Sequence, residues 1–170
     1  MVVESGPGAA TALRLVCFDV RGQELALPIA EVRETLPIQP ITRVILTPPC
    51  LAGVFSLRGD IVPAIDLAIL LGLPRTEIGA ESRIVVIEHS AGTAGLIVDR
   101  LRDLRTIELA EGGALEPPPA SLAPQVALLL RGVAATPTGT VRVLDARAVI
   151  TAEPLRAIAG GDAAEEGKTA

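Results

Sequence analysis

Aromatic side chains are almost missing from this sequence of 170 residues, which has two Phe and neither Trp nor Tyr. Aromatics anchor most small-molecule pockets and stack the bases of bound nucleic acids, so their scarcity counts against both roles. Histidine is scarcer still. His89 is the single one, and it falls at a predicted turn with no Cys or His near it, which suggests neither a zinc site nor a Cys–His nucleophile. Its plain reading is a solvated turn residue. Cys17 and Cys50 lack metal-ligand spacing and read as reduced, buried small hydrophobes. The chain has no G-x-x-x-x-G-K-[ST] loop for phosphates and no G-x-G-x-x-G turn for a dinucleotide. Carboxylate pairs such as Asp99 with Asp103 read as a solvated face rather than an acid–base pair. Positive charge is in deficit, with 15 Lys plus Arg against 20 Asp plus Glu and a net charge of −5, which argues against a nucleic-acid partner. No apolar run reaches the roughly 18 residues of a membrane span. The start, Met1 to Pro7, has neither the basic nor the apolar region of an export signal. The expectation is a cytoplasmic globular protein with no catalytic residue, no metal and no cofactor.

What is abundant is aliphatic. Hydrophobic residues make up 49% of the chain and charged residues 21%, enough to bury a core. Most are Leu, Val, Ile and Ala, and the branched ones favour strands. Residues 1–12 are small, polar or Gly/Pro-containing and read as a flexible arm. Residues 151–170 read as a flexible acidic tail, leaving 13–150 as the patterned domain. Leu13 to Val20 alternates so that both faces are apolar; Arg21-Gly22-Gln23 turns the chain, and Leu25, Leu27 and Ile29 alternate on the way back. Ile29, Val32 and Leu36 fall at helical spacing, which predicts one or two turns of helix. A Pro- and Thr-rich connection follows, from Pro37 to Pro49.

Gly53 to Leu67 carries the most local information. Two apolar strands flank Arg58-Gly59-Asp60, where Gly supplies the freedom of a tight hairpin turn. Pro63 lacks an N–H for a ladder and predicts an edge strand or a bulge. Asp66 stands at an N-cap position before a short helix ended by Gly72 and Pro74. Strands are expected at Ile84 to Ile87, at Ala94 to Val98 beyond a turn at Ser90-Ala91-Gly92, and at Thr106 to Leu109. After a Pro-rich loop, the apolar run Ala127 to Ala134, a turn at Pro137-Thr138-Gly139 and Val141 to Leu144 lead to Asp145, which can cap a last helix through Ile150. The order glycine, strand, turn, strand, Asp and short helix thus occurs twice, from Gly53 and from Gly132. Many short strands argue for barrels or a sandwich, and the repetition argues for two similar barrels.

The segment from Gly53 to Leu67, GVFSLRGDIVPAIDL, closely resembles the signature of the chemotaxis coupling (adaptor) protein family CheW. Further landmarks follow the family's order: Leu27-Pro28-Ile29 before Val32-Arg33-Glu34, then Ile41-Thr42-Arg43-Val44, Gly95 to Asp99, and Gly132-Val133 before Val143-Leu144-Asp145. The likeness spans about Leu13 to Ile150. It departs at Ser56, where the signature has Asn, at Thr35, where an aliphatic is usual, and at Leu25, where an aromatic is usual. The resemblance implies a mainly β fold of two intertwined five-stranded SH3-like β-barrels with a few short helices. It implies a non-catalytic scaffold between the regulatory domain of a CheA-type histidine kinase and the cytoplasmic tips of methyl-accepting chemoreceptors, without insertion into the membrane. By the same likeness Val32, Glu34 and Arg58 match coupling positions, and Ile84 would lie at a groove between the barrels that takes a receptor helix. Gly95 and Gly132 would let chains pass closely. Alternatives are a scaffold of a parallel pathway such as type IV pilus motility, or a small-molecule-binding β-barrel. For Arg58 and Glu34 the residues alone suggest only a solvated turn arginine and a solvated helix-face carboxylate.

Overall fold

The structure, a computed structural model, describes residues 11–109, 115–137 and 139–155. Among them run the strands β1 (Thr11–Val20), β2 (Gln23–Pro28), β3 (Val32–Pro37), β4 (Leu51–Leu57), β5 (Asp60–Asp66), β6 (Arg83–His89), β7 (Gly92–Val98), β8 (Arg100–Leu109), β9 (Leu130–Thr136) and β10 (Gly139–Leu144). The short helices are α1 (Leu67–Leu70), α2 (Pro124–Ala127) and α3 (Ala146–Ile150). No helix among the described residues is long and apolar enough to cross a membrane.

The strands form two five-stranded sheets, ordered β8-β1-β2-β10-β9 and β3-β6-β7-β5-β4. The first, here the terminal barrel, joins both ends of the chain, and the second is the central barrel. Each half of the sequence gives its first hairpin to one barrel and its next three strands to the other. The expected exchange between halves is therefore real. It also explains the parallel pairs β5–β7 and β10–β2, since these join strands of different halves.

The repeated sequence pattern has a structural counterpart at every step. In the central barrel the chain after β3 returns to pair with β4, through Thr42 N–H to Val54 O at 2.8 Å and Val54 N–H to Thr42 O at 2.9 Å. In the terminal barrel Glu116 and Val133 make the same two bonds, at 3.0 and 2.8 Å. Both crossings need glycine. A Cβ on Gly53 would lie 2.2 Å from Thr42 O, and one on Gly132 2.5 Å from Leu115 Cβ. Asp66 and Asp145 then cap α1 and α3 by accepting from Ala68 N and Ala148 N at 3.1 and 3.2 Å. The backbone N–H of Asp66 reaches Cys50 O and that of Asp145 reaches Leu129 O.

Three apolar clusters hold the fold. Leu15, Cys17, Ala26, Ala134, Val141 and Val143 fill the terminal barrel. Phe55, Leu57, Val62, Ala64, Ile84, Val86 and Ile97 fill the central one. A larger shared cluster, including Phe18, Leu25, Leu27, Val85, Ile87 and Leu96, lies between them. The paired hairpins β1–β2 and β6–β7 face a barrel interior on one side and the shared core on the other, hence their unbroken apolar runs. Full burial of each large aliphatic contributes about 1.5–3 kcal/mol.

Several local expectations need correction. The helical spacing at Ile29, Val32 and Leu36 yields only a 3-10 turn at Ile29–Glu31, and Val32–Pro37 is strand. Glu34 therefore sits on a strand rather than on a helix face, because pairing of β3 with β6 overrides the short helical pattern. Pro63 lies on an internal strand opposite Val54 in regular register, with no bulge at the pair, but β5 pairs with β7 only from Ala64 onward, so its missing N–H interrupts no bond to β7. His89 is the last residue of β6, and its Nδ1 lies 3.1 Å from Ser90 Oγ and accepts from Ala91 N–H at 3.3 Å. Strand β8 starts at Arg100, well before Thr106, because its pairing with β1 runs from Arg100 opposite Asp19 to Leu109 opposite Thr11. Ala127 ends α2, and β9 begins only at Leu130. Thr138, residues 1–10 and residues 156–170 lie outside the described residues. At the ends of the domain, β1 begins at Thr11, and Ala152 and Leu155 pack against the shared core.

Candidate protein-docking site

The hairpin β4–β5 closes through Arg58-Gly59, with φ of 50° and 87°. A two-residue turn with both φ positive matches the twist of the strands it joins. The left-handed region costs a non-glycine residue roughly 1 kcal/mol. Arg58 accepts that conformation and points its guanidinium over the rim of the central barrel to β3. There it makes a two-pronged pair with Glu34, Nη1 to Oε2 at 2.5 Å and Nη2 to Oε1 at 3.0 Å. Arg33 Nε lies 3.9 Å from Glu34 and 3.7 Å from Glu88. Such a fork is geometrically specific, although an exposed pair contributes only about 0.2–1 kcal/mol. Two residues that the sequence places 24 positions apart thus form one surface feature.

The other sequence candidates divide. Val32 begins β3 and packs partly buried against the shared core, so it links the rim to the interior. Ile84 does not belong to any surface. It is wholly buried within the central barrel, where its Cγ2 would lie 2.7 Å from a Cβ on Gly95. Its proposed place in a partner-binding groove is corrected: alternation along β6 turns Ile84 and Val86 into the barrel. Ser56 and Thr35 are both exposed.

Sequence reasoning missed the loop between β3 and β4. Val44, Ile45 and Leu46 stand exposed at its tip, with Ile78 exposed nearby. Leu46 has φ of 60°, a strained conformation for a leucine and one associated with functional segments. Between this loop and residues 75–78 lies a groove of about 600 Å³, lined by Ile41, Val44, Leu51, Ile97, Arg43 and Arg75 among others. Asp66 lines it too, but its carboxylate is committed to Ala68 N, Thr76 N and Thr76 Oγ1. The signal was present as three aliphatics in a row inside a Pro/Thr-rich connection, a run with no strand to join. Among the described residues no group of three or more His, Cys, Asp or Glu side chains gathers as a metal site would require.

Two intertwined β-barrels, one of them carrying a charged fork at a hairpin turn and a bare apolar loop, define a class of protein built for contact with other proteins. The model of the CheW-like domain matches residues 14–153, and the chain belongs to that family. It is 31% identical over 143 residues to the chemotaxis protein CheW of Bacillus subtilis strain 168, covering 84% of this chain and 90% of that one. It is 32% identical over 103 residues to protein FrzA of Myxococcus xanthus, covering 61% and 62%, and 32% identical over 84 residues to protein PilI of Pseudomonas aeruginosa, covering 49% and 47%. The crystal structure of the scaffolding protein TtCheW from Thermoanaerobacter tengcongensis superposes with a TM-score of 0.67 at 28% identity, over 78% of this chain and 88% of that one.

Proposed function

We propose that this protein is a non-catalytic cytoplasmic adaptor that couples the cytoplasmic tips of chemoreceptors to the regulatory domain of a CheA-type histidine kinase. The observation that carries the reading is the Glu34–Arg58 fork, held on the rim of the central barrel at the β4–β5 turn. The exposed loop Val44–Leu46 lies on the same barrel, toward the Leu51 end of β4. Oriented charges and apolar side chains left in water on one barrel suit a protein partner, the apolar ones supplying affinity and the charges register. Similarity to FrzA and PilI favours a second reading, an adaptor of a parallel pathway, type IV pilus motility included. The same surface would serve either.

The test is Arg58→Glu. The side chain is largely exposed, so melting should change by no more than about 1 kcal/mol. Co-sedimentation with receptor and kinase should be lost, since a like-charge contact across an interface costs several kcal/mol and every 1.4 kcal/mol is about tenfold in affinity. Reversing both members, Arg58→Glu with Glu34→Arg, separates two causes. It restores the internal pair but not the surface charge, so rescued binding would make the pair structural. Normal co-sedimentation of the single variant would remove the docking role of Arg58 altogether.

A further inference from the structure

The two crossovers between the barrels are built alike and charged differently. Where the chain leaves β7 for β8, Arg100 lies directly across from Asp19 on β1. Arg100 Nε donates to that carboxylate at 2.8 Å and Arg102 Nε at 2.5 Å. Where the chain leaves β2 for β3, the pair Val32–Ile87 corresponds to Leu101–Phe18, so Glu88, Glu31 and Arg33 occupy the places of Asp19, Arg100 and Arg102. Arg33 keeps its contact, with Nε 3.7 Å from Glu88. Glu31, the last residue of the 3-10 turn, cannot repeat the Asp19–Arg100 pair, because its counterpart Glu88 is a carboxylate like itself. It turns to the terminal barrel instead. Its Oε1 accepts from Arg131 Nη2 on β9 at 2.5 Å, and its Oε2 from the Ala146 N–H at the start of α3 at 3.4 Å. Strand β8 is anchored on the barrel it enters. Strand β3 is anchored on the barrel it leaves.

We propose that Glu31 and Arg131 are positioning residues whose pair fixes the direction in which β3 enters the central barrel, and through it the placement of Glu34 against Arg58. Strand β3 pairs with β6 alone, and its register breaks between Val32 and Glu34, so the ladder by itself leaves the start of β3 underdetermined. Burial raises the Glu31 carboxyl above its ordinary value, with Asp145 adding to the rise, and Arg131, the Ala146 N–H and His89 partly offset it. The pair thus compensates in part for a carboxylate that burial disfavours.

The consequence for binding rests on the docking reading above; the effect on β3 does not. Amide hydrogen exchange on the full chain tests it. Glu31→Gln and Arg131→Gln should each speed exchange along β3 about two- to fivefold, with no further gain in the double variant. Strands β6 and β7 should stay unchanged in both, as should the melting temperature of Glu31→Gln, and Arg131→Lys should recover most of the protection. Unchanged β3 exchange in Glu31→Gln would overturn the inference, as would uniform loss of protection with a lowered melting temperature, which marks an ordinary structural pair. Co-sedimentation separates the two readings. Normal binding by Arg58→Glu would sink the docking reading whatever β3 does. Lost binding by Arg58→Glu, with β3 exchange and binding both normal in Glu31→Gln, would sink the positioning role alone.

Discussion

The two barrels share one topology, yet they differ at the positions where a surface is made. The tip of β4–β5 carries Arg58, which spans to Glu34; the corresponding tip of β9–β10 carries Pro137, which has no side chain able to span anything. The closing segment of the central barrel bears Val44, Ile45 and Leu46 in the open. At the same distance beyond the crossing, the terminal barrel carries Pro118, Pro119 and Ala120 instead. The glycines, the capping aspartates and the crossing hydrogen bonds are kept in both halves. What repeats is what closes a barrel, and what differs is what a second molecule would meet.

The largest expected effect tests whether the crossings are equally tight. Gly53→Val and Gly132→Val should each cost several kcal/mol, because in either case a Cβ would press on the backbone carbonyl of the crossing segment, Thr42 O at 2.2 Å or Glu116 O at 2.7 Å. Denaturant unfolding should show Gly53 as the more sensitive, its added atom being closer and its φ of 152° being one that side chains rarely adopt. Equal midpoints to wild type in either variant would mean that the crossing segment can move aside.

A smaller difference should separate the two caps. Asp66 is buried and accepts three hydrogen bonds, one from Ala68 and two from Thr76. Asp145 is part-buried and caps through Ala148 N alone. Asp66→Ala should therefore cost about 2–3 kcal/mol, with donors left unpaired, and Asp145→Ala about 1 kcal/mol. Comparable losses in thermal melts would show that the Thr76 bonds add little.

The smallest effect lies in acid, where the two crossovers should respond in opposite directions. Burial alone would raise the Asp19 carboxyl, but hydrogen bonds from Arg102 and Arg100 outweigh it and the net shift is downward. Its contribution is present above the unfolded aspartate value of about 3.9 and is lost as pH falls through the lower folded value. The Glu31 carboxyl is raised, chiefly by burial, so its contribution is present below the unfolded glutamate value of about 4.3 and is lost as pH rises through the higher folded value. Stability against pH should accordingly lose part of its acid slope in Asp19→Asn and become steeper in Glu31→Gln. The same slope in all three proteins would contradict both shifts.

The fold was legible because the chain states it twice. Asp66 and Asp145, the hairpin turn at Arg58-Gly59-Asp60 and the doubly apolar strands each have a local physical cause that alternation, capping and turn chemistry expose, whereas Gly53 and Gly132 are required by segments that reach them from elsewhere in the chain. The helix expected across Ile29 to Leu36 failed because a spacing of three and four over so few residues cannot outweigh pairing with β6. Ile84 was misplaced because an apolar residue on a doubly buried strand does not announce which face it takes. Glu34 and Arg58 could be named singly, but nothing in their separation along the chain says that they meet.

Most strands, the hairpin turns and the two aspartate caps thus follow from short stretches of sequence, since each depends on a few neighbouring residues. Tertiary structure alone decided which hairpin joins which barrel, that Arg58 reaches Glu34, and that Glu31 turns from Glu88 to Arg131. Those outcomes depend on which charges stand opposite one another across strands far apart in the chain. That information comes into being only when the halves exchange their strands.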